Sequence, residues 1–453
     1  MKTYTITILE DTFQELMSFL SSSKKEEAAY LLCSQSESDD EYRFLVQKVI
    51  PVSVDEYLRQ KTDCLSIDSN SYARIAKRAK SSNSSILFIH SHPNDYPNFS
   101  LKDDVEDPKL IEFFNNRIPG VTHGSLILSN KKFLGRIYVK DKKVPIKRIR
   151  VIGTRFTFYN LEQDSEPIPI FFDRQVRAFG PDLQKTLKQL HVGVAGTGGT
   201  GSSVIEQLTR LGVGTLSIFD GDDFDPTNVN RMYGSRSTHK GEKKVKILSD
   251  HVESICLGTA LKTYPSHISE EKVAKQLKEC DVIFGCTDKE YPRSILNNIA
   301  IQYFIPVIDL GVKIDSNQDV IQSINGRITT LYPGTACLFC RERITSETIR
   351  AEVLPLDEHT KQVKEGYVPA LKLNNPAVIT FTTMVASQAV NELIHRLTGF
   401  LGIERKSTEV LFLFHNTEIK RNSQQPNQDC GVCMKKKLWG IGDNNRNFLG
   451  RVW

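Results

Sequence analysis

The sequence lacks the features that would direct the chain into or across a membrane. It has no run of about 18 consecutive apolar residues, the length that a membrane-spanning helix needs. The opening stretch MKTYTITILEDTF has no charged segment followed by a long apolar one, so no signal peptide is expected. Nine cysteines, an odd number without a secretion signal, do not indicate a disulfide framework. These absences favour the reducing cytoplasm and argue against a membrane partner.

The sequence also lacks a dense stripe of lysine and arginine interleaved with aromatic residues. Its net charge of +5 is slight for 453 residues, and the short basic runs KRAK, KKVPIKRIR and MKKK are typical of solvated surfaces. Nucleic acid is therefore not expected as a partner. The apolar and charged fractions, 39% and 25%, are those of a globular protein, and the length predicts two or three domains.

The chain has two regions that differ in the order of their predicted strands and helices. The first mixes short strands and helices, as in YTITILE and SNSYARIAKRAKS. From Leu190 strands and helices alternate, which predicts an α/β domain with a doubly wound parallel sheet. A polar stretch with two prolines separates the regions and predicts a linker. The expected divisions are a first domain (1–155), a linker (156–170), a second domain (171–435) with a crossover or mobile loop at about 341–372, and a C-terminal tail (436–453).

The segment HSHPNDYPNFSLKDD carries candidate metal ligands. Residues i and i+2 of a strand face the same way, so His90 and His92 point at one place. Asp103 would complete a set of three, and three protein ligands with a fourth position open is typical of catalytic zinc. An alternative is structural, because Ser100 followed by Asp103 also has the pattern of a helix cap.

The order of these residues resembles the H-x-H-P-x6-S-x2-D signature of the JAB/JAMM (MPN) metallopeptidases. The resemblance implies an α+β domain in which His90, His92 and Asp103 hold zinc. It implies further that Ser100 steadies the oxyanion of the tetrahedral intermediate. Members of this family cleave isopeptide or peptide bonds at the C-terminus of ubiquitin-like proteins.

The same resemblance implies a glutamate on an early strand as general base. The segment EEAAYLL offers Glu27, with Glu26 as the other register. The sequence departs from the family's pattern in this segment, because Tyr30 stands where the family often has glycine. Glu27 is the residue predicted from the sequence.

The segment GVAGTGGTGSS predicts a glycine-rich turn between a strand and a helix. Backbone N–H groups at such a helix N-terminus can hold phosphate, and an acid at the end of the next strand can bind ribose hydroxyls. These features fit an NAD-dependent dehydrogenase as well as an ATP-dependent enzyme. The residues concerned are Gly196, Gly198, Gly199, Gly201 and, at the end of the next strand, Asp220.

Residues beyond the loop favour ATP. Asn228 and Arg231 lie in DPTNVNRM, Lys244 lies in KGEKKVKI, and Asp288 ends GCTD. Hydride transfer needs neither phosphate-binding cations nor a metal-binding carboxylate. Attack of a carboxylate on the α-phosphate of ATP uses both, because charge must be neutralised in the transition state.

This set resembles the ThiF/MoeB adenylyltransferases and the adenylation domains of ubiquitin-activating enzymes, over residues of about 170 to 435. The segment FDRQVRAFG is similar to the family's entry motif. The resemblance implies a Rossmann-like domain that uses ATP, with Mg²⁺ held by Asp288 and ribose bound by Asp220. Arg174 matches the arginine that members insert into a partner subunit, which implies a homodimer. The phosphate contacts implied are Asn228, Arg231 and Lys244.

Two C-x-x-C pairs predict a structural zinc site. Paired units of this kind form closed tetrahedral thiolate sites, although four buried free cysteines are the alternative. Members of the resembled family carry zinc at these positions. The four residues are Cys337, Cys340, Cys430 and Cys433.

The expected crossover contains no thiol that could form a thioester. No cysteine stands between Cys340 and Cys430, whereas ubiquitin-activating enzymes use a cysteine in that region. Cys286 lies in GCTD and is expected to pack against its neighbours rather than to react. Adenylation without a thioester step is therefore expected.

These features predict an enzyme with two active sites for one small protein. One site would adenylate the C-terminal glycine of a ubiquitin-like protein, and the zinc peptidase would process that protein or remove it from its targets. The expected setting is a bacterial pathway that attaches ubiquitin-like proteins to targets, with antiphage defence as one role. A conjugating enzyme would then be a further partner. The first alternative is activation of a sulfur-carrier protein for thiolation. The second is a binding scaffold with an inactive peptidase module.

Overall fold

The computed structural model describes residues 2–130, 132–139, 142–160, 167–317, 320–370, 376–403 and 405–453. These residues form two compact units. The first unit combines the described residues up to 164 with Gln302–Phe304 and Trp439–Gly450. The second combines those of 165–301 with Ile305–Leu438 and Arg451–Trp453. Within the described residues, no helix combines the length and the apolar character needed to cross a membrane.

The first unit is built on a sheet that closes on itself. The strand order is β1-β3-β2-β6-β7-β8-β9-β10, and β1 also pairs with β9. A separate hairpin is formed by β4 and β5. The elements are β1 (Thr3–Leu9), α1 (Glu10–Leu20), β2 (Ala28–Glu37), β3 (Glu41–Pro51), β4 (Tyr57–Gln60), β5 (Leu65–Ile67), α2 (Ser69–Ser81), β6 (Ser85–Ser91), α3 (Leu101–Arg117), β7 (Gly124–Ser129), β8 (Lys132–Val139), β9 (Lys142–Ile152) and β10 (Phe156–Asn160).

The central strands of this sheet have apolar neighbours on both faces. All seven residues of β6 are buried, which explains why the sequence reads as a continuous apolar run. Alternate residues of β2 enter two different cores: Ala29 and Leu31 pack with β1 and α1, whereas Ala28 and Tyr30 pack with α2 and α3. Burial of each large apolar side chain contributes about 1.5–3 kcal/mol.

The second unit contains an eight-stranded sheet in the order β13-β12-β11-β14-β15-β16-β17-β18. Strands β11 to β15 are parallel, and β16 to β18 are antiparallel additions. The elements are α4 (Asp173–Phe179), α5 (Pro181–Gln189), β11 (His191–Ala195), α6 (Gly199–Arg210), β12 (Thr215–Phe219), α7 (Lys244–Ile255), β13 (Ala260–Tyr264), α8 (Glu271–Ala274), β14 (Val282–Gly285), α9 (Glu290–Gln302), β15 (Val307–Asn317), β16 (Val320–Leu331), α10 (Ser346–Val353), α11 (Leu356–Lys364), α12 (Ile379–Thr398), β17 (Glu409–Leu413) and β18 (Glu418–Asn422).

The prediction of a Rossmann-like α/β fold is confirmed for the second unit. Its strand order reverses between β11 and β14, and this is where such sheets bind ligands at the carboxyl ends of their strands. The three antiparallel strands are a departure from the purely parallel sheet that was predicted. They extend the sheet beyond β15 by hairpin-type pairing, which needs no crossover helix.

Two connecting segments differ from the sequence-based expectation. The expected linker 156–170 begins with strand β10, and its residues 161–166 lie outside the described residues. The expected loop at 341–372 contains α10 and α11, and its residues 371 and 372 lie outside the description. Helix α10 begins with a cap in which the Thr345 side chain accepts a hydrogen bond from Thr348 N.

Part of the expected C-terminal tail belongs to the core of the first unit. Asp443 accepts hydrogen bonds from Glu37 N at 2.7 Å and from the Tyr303 hydroxyl at 2.9 Å. Gly442 has a φ of +54°, and a Cβ there would lie 2.2 Å from the Gln35 carbonyl oxygen. This close approach explains why the segment needs glycine.

Candidate metal and nucleotide sites

The two histidines and the aspartate of the first unit meet at the end of β6. The Nε2 atoms of His90 and His92 are 3.0 Å apart. The Asp103 carboxylate lies 3.4 Å from His90 Nε2 and 3.6 Å from His92 Nε2. Zinc bonds of 2.0–2.2 Å in a tetrahedron give ligand separations of about 3.3–3.6 Å. The two carboxylate separations, to Oδ1 and Oδ2, lie in this range, and the imidazole separation is about 0.3 Å shorter. A small adjustment of the two rings would let the three residues hold one zinc ion, with the fourth position left for water or substrate.

Helix α3 carries Asp103 into this cluster. Its first turn is a capping box: Asp103 N donates to Ser100 Oγ at 3.2 Å, and Ser100 N donates to Asp103 Oδ2 at 2.6 Å. The helix-cap and metal-ligand interpretations are thus compatible, because the cap fixes the carboxylate that faces the imidazoles. Burial alone would raise the pKa of Asp103, but the neighbouring imidazoles of His90 and His92 lower it well below its ordinary value.

A backbone carbonyl orients the second imidazole. His92 Nδ1 lies 3.1 Å from the Tyr96 carbonyl oxygen, which can only accept a hydrogen bond. The proton of the neutral ring is therefore assigned to Nδ1, and the lone pair of Nε2 faces the cluster. This arrangement is common around metal-binding histidines.

The carboxylate of Glu27 is bound by a tyrosine of the β4–β5 hairpin. Glu27 Oε2 accepts a hydrogen bond from the Tyr57 hydroxyl at 3.2 Å, and that hydroxyl accepts one from Ala28 N at 2.9 Å. Glu27 N donates to Ser91 Oγ at 2.9 Å. Glu27 therefore anchors the start of β2 to its neighbours.

Glu26 is the glutamate that faces the metal-ligand cluster. Ala28 pairs with His90 across β2 and β6, and two-residue alternation turns Glu26 toward the same face as Ala28. Burial raises the pKa of Glu26, and the charges of His90 and His92 oppose that rise, so the three groups are close in space. Ala28 is the residue paired with His90, and Glu26 lies two residues before it. Knowledge of this strand register would therefore have selected Glu26 rather than Glu27.

The glycine-rich loop of the second unit is formed by unusually close backbone contacts. Gly196 has a φ of +91°, and a Cβ there would lie 2.6 Å from the Cys286 carbonyl oxygen. A Cβ at Gly201 would lie 1.9 Å from the Gly196 carbonyl oxygen. Gly198 is the N-cap of α6. A Cβ built on Gly198 would have no atom of the described residues within 4 Å, apart from those of Gly198 itself and the two residues adjacent in sequence. The N-terminus of α6 is therefore open to a phosphate.

Asp220 holds this loop in place. Its Oδ2 accepts hydrogen bonds from Thr197 N at 2.7 Å and Thr197 Oγ1 at 2.9 Å, and its Oδ1 accepts one from Asp222 N at 2.9 Å. A carboxylate can accept about four hydrogen bonds, so one position is free for a ribose hydroxyl. The predicted ribose ligand is thus also a structural support of the loop.

Of the predicted phosphate ligands, Arg231 lies at the start of α6 and Lys244 contacts the segment that follows β12. The Arg231 side chain packs beside Gly199, 3.2 Å from the position of a Cβ, and its Nη1 donates to Thr227 O at 2.5 Å. Lys244 Nζ lies 2.7 Å from Asp222 Oδ2.

The remaining predicted residues of the nucleotide site are Asn228, Asp288 and Arg174. The Asn228 side chain accepts a hydrogen bond from Asp225 N at 3.1 Å, which holds the turn that carries Arg231. Asp288 is exposed and follows β14, and Arg174 is exposed on α4.

The four predicted zinc-binding cysteines form one cluster. The Sγ atoms of Cys337 and Cys340 are 3.8 Å apart, those of Cys337 and Cys430 3.7 Å, and those of Cys340 and Cys433 3.5 Å. A disulfide would require about 2.05 Å, whereas zinc–sulfur bonds of about 2.3 Å give separations of about 3.8 Å. Asn427 N donates to Cys340 Sγ at 3.3 Å. The donor set fits a closed structural zinc site.

Cys286 is partly buried beside the glycine-rich loop. Burial raises the pKa of its thiol well above the ordinary value, and the nearby Asp309 adds to the rise. A thiol that resists ionisation is a poor nucleophile at neutral pH. The structure thus agrees with the expectation that Cys286 packs rather than reacts.

Sequence analysis missed a buried ion cluster close to Asp288. Asp309 is fully buried and lies 2.5 Å from Arg327 Nη1 and 3.6 Å from Arg293 Nε. The sequence does contain one indication of this cluster: Asp309 is a single acid inside the apolar run FIPVIDLG. A buried charge without a partner would be costly, so a compensating cation could have been expected.

Residues 172–432, more than half of the chain, match the model of the ThiF family, and the N-terminal part is not assigned to any family. The chain is 29% identical over 144 residues to adenylyltransferase and sulfurtransferase UBA4 of Meyerozyma guilliermondii, covering 32% of this chain and 34% of that protein. It is 32% identical over 136 residues to tRNA threonylcarbamoyladenosine dehydratase of Haemophilus influenzae, covering 30% and 52%. The chain thus spans about a third to a half of the length of these relatives.

A further relative and a solved structure come from Escherichia coli. Molybdopterin-synthase adenylyltransferase is 27% identical over 180 residues, covering 39% of this chain and 69% of that protein. The crystal structure of MccB with MccA-N7isoASN has a TM-score of 0.48 at 16% identity, covering 59% of this chain and 75% of that chain.

The two donor sets lead to a prediction about metal content. We expect two zinc ions per chain by elemental analysis, one of which is lost in His90→Ala. Replacing Cys430 by Ser should remove the other and lower the melting temperature, because structural zinc contributes folding free energy directly. The control is His359→Ala, outside both clusters, which should retain two. A single zinc that persists in His90→Ala would contradict the assignment of the first cluster.

Proposed function

Because the chain belongs to the ThiF family, we propose that its second unit is an adenylyltransferase that uses ATP and Mg²⁺ to activate the C-terminal carboxylate of a small protein. The observation that carries this proposal is that an open helix N-terminus, the Asp220 carboxylate and the basic side chains of Arg231 and Lys244 lie after the carboxyl ends of the parallel strands. Parallel sheets bind nucleotides at this place.

The residues of the site have separate tasks in this reaction. The amides at the start of α6 bind the phosphates, and Arg231 and Lys244 neutralise charge as the bond between the α- and β-phosphates breaks. A carboxylate oxygen of the substrate attacks the α-phosphorus, and pyrophosphate leaves. Asp288 offers the carboxylate that would hold Mg²⁺, a cation that prefers oxygen ligands. Lys244 first has to exchange its ion pair with Asp222 for one with phosphate.

The names of the similar proteins favour a sulfur-carrier protein as the substrate. Two of them are an adenylyltransferase and sulfurtransferase and a molybdopterin-synthase adenylyltransferase. They support the sulfur-carrier alternative better than conjugation to target proteins. The absence of a cysteine from the crossover agrees with release of the acyl-adenylate to a separate acceptor. The proposed partner is a small protein with a C-terminal glycine, bound by a homodimer to which Arg174 contributes.

We expect ATP–pyrophosphate exchange that depends on a glycine-terminated sulfur-carrier protein. Asp288→Ala should reduce the exchange at least about 100-fold, because the site then lacks a ligand for the cation that stabilises the transition state. The control is Asp223→Ala, whose carboxylate pairs with Lys243 and not with Lys244. Arg174→Ala should reduce exchange, and mixing it with Asp288→Ala should restore part of it. Hydride transfer to NAD without exchange would contradict the proposal.

A second candidate function, a zinc peptidase in the first unit, is favoured by one observation. The donor atoms of His90, His92 and Asp103 form one cluster with separations of 3.0, 3.4 and 3.6 Å, close to those between the ligands of a zinc ion. Zinc bound there would lower the pKa of a water molecule toward neutrality. Glu26 would accept the water's proton and pass it to the leaving amine, and its raised pKa suits a group that carries a proton during turnover. The Ser100 hydroxyl is proposed to bind the oxyanion.

The two adjacent glutamates provide a matched test of this second function. The substrate is a fusion in which the last glycine of the small protein is joined to a further peptide. Glu26→Gln should reduce cleavage after that glycine by about 100-fold or more, because the variant has no proton acceptor. Glu27→Gln should lose much less activity, since its carboxylate binds Tyr57. Both variants should retain the zinc content of the natural chain. Equal activity of Glu26→Gln and the natural chain would contradict the role of Glu26 as the base. No cleavage by the natural chain would favour the inactive scaffold instead.

A further inference from the structure

A buried carboxylate lies behind the loop that carries Asp288. Asp309 is on β15, directly opposite Gly285, the last residue of β14. A Cβ at Gly285 would lie 3.0 Å from Asp309 Oδ1, so glycine leaves the space that this carboxylate occupies. The Asp309 side chain is 0% exposed. A fully buried charge is costly unless cations compensate it.

Two arginines provide that compensation from different elements. Arg327 Nη1, from β16, lies 2.5 Å from Asp309 Oδ2, and Arg293 Nε, from α9, lies 3.6 Å from Asp309 Oδ1. Gly311 faces both guanidinium groups, which a Cβ there would approach to 3.2 and 3.5 Å. The two cations exceed the single carboxylate by one positive charge.

Arg293 also binds the backbone at the ends of two strands. Its Nη2 donates to the Thr287 carbonyl oxygen at 2.8 Å and to the Leu310 carbonyl oxygen at 3.2 Å. Thr287 immediately precedes Asp288. The guanidinium group therefore fixes the peptide from which the Asp288 carboxylate projects.

We propose that Asp309 is a positioning residue for adenylation, which acts through Arg293 to hold Asp288 where it can bind Mg²⁺. Because Mg²⁺ demands near-ideal octahedral geometry, the direction of this ligand matters, and Asp288 itself is exposed on a loop. The inference rests on the proposed function of the second unit. It adds a residue that contacts neither ATP nor the cation.

The test is ATP binding by calorimetry to the full-length chain, with EDTA and then with excess Mg²⁺. The natural chain should bind ATP at least about tenfold more tightly with Mg²⁺. Asp309→Asn should keep the affinity measured in EDTA and lose most of this gain, and Arg293→Lys should do the same. Hydrogen exchange without metal should rise in the peptide that contains Thr287 and Asp288 in both variants. A variant that folds and keeps the full gain would overturn the proposal.

A matched control distinguishes positioning from general loosening. Glu392 is also a buried carboxylate held by two arginines, Arg396 at 2.7 Å and Arg405 at 2.6 Å. Glu392→Gln should keep the gain in affinity with Mg²⁺, and an equal loss there would refute a specific role of Asp309. If Asp309→Asn does not fold, Asp309→Asn combined with Arg327→Gln removes the closest ion pair as a unit, and Arg293→Lys still decides. A natural chain that does not bind ATP at all would refute the proposed function instead.

Discussion

The close approach of Gly201 to the Gly196 carbonyl oxygen is the constraint on which the nucleotide site depends. A Cβ at Gly201 would lie 1.9 Å from that oxygen, so any other residue would force the strand and the helix apart. With glycine there, α6 begins close to the end of β11 and directs its free amides toward the sheet edge. Asp220 then ties the loop to the next strand through Thr197. The proposed binding of phosphate and the proposed binding of ribose would thus have a common structural origin.

Strand register has the corresponding role in the first unit. The pairing of Ala28 with His90 decides which glutamate faces the imidazoles, and a shift by one residue would turn Glu27 inward and Glu26 outward. Helix α3 supplies the third ligand through its own cap, so the hydrogen bonds that begin the helix also orient Asp103. The proposed metal site would need few special residues beyond those that form the strand and the helix start.

Features of the structure that depend only on residues close together in the sequence could be predicted from the sequence. Apolar runs, the capping pattern at Ser100 and the glycine spacing from Gly196 each depend on neighbouring residues, and the corresponding elements are present in the structure. The choice between Glu26 and Glu27 depended on the partner strand, and sequence spacing does not reveal strand pairing. The cluster at Asp309 depends on residues from α9, β15 and β16. The position of residues 439–450 in the first unit likewise follows from contacts distant in sequence.

The central claim is that the second unit forms an acyl-adenylate and releases it without a covalent step on its own chain. The direct measurement is intact-mass analysis after incubation of the chain with ATP, Mg²⁺ and a glycine-terminated sulfur-carrier protein, with and without reductant. We expect the carrier to gain the mass of one AMP, while the mass of this chain stays unchanged. A carrier that gains no mass, or an adduct on this chain that reductant cleaves and that maps to Cys286, would contradict the account.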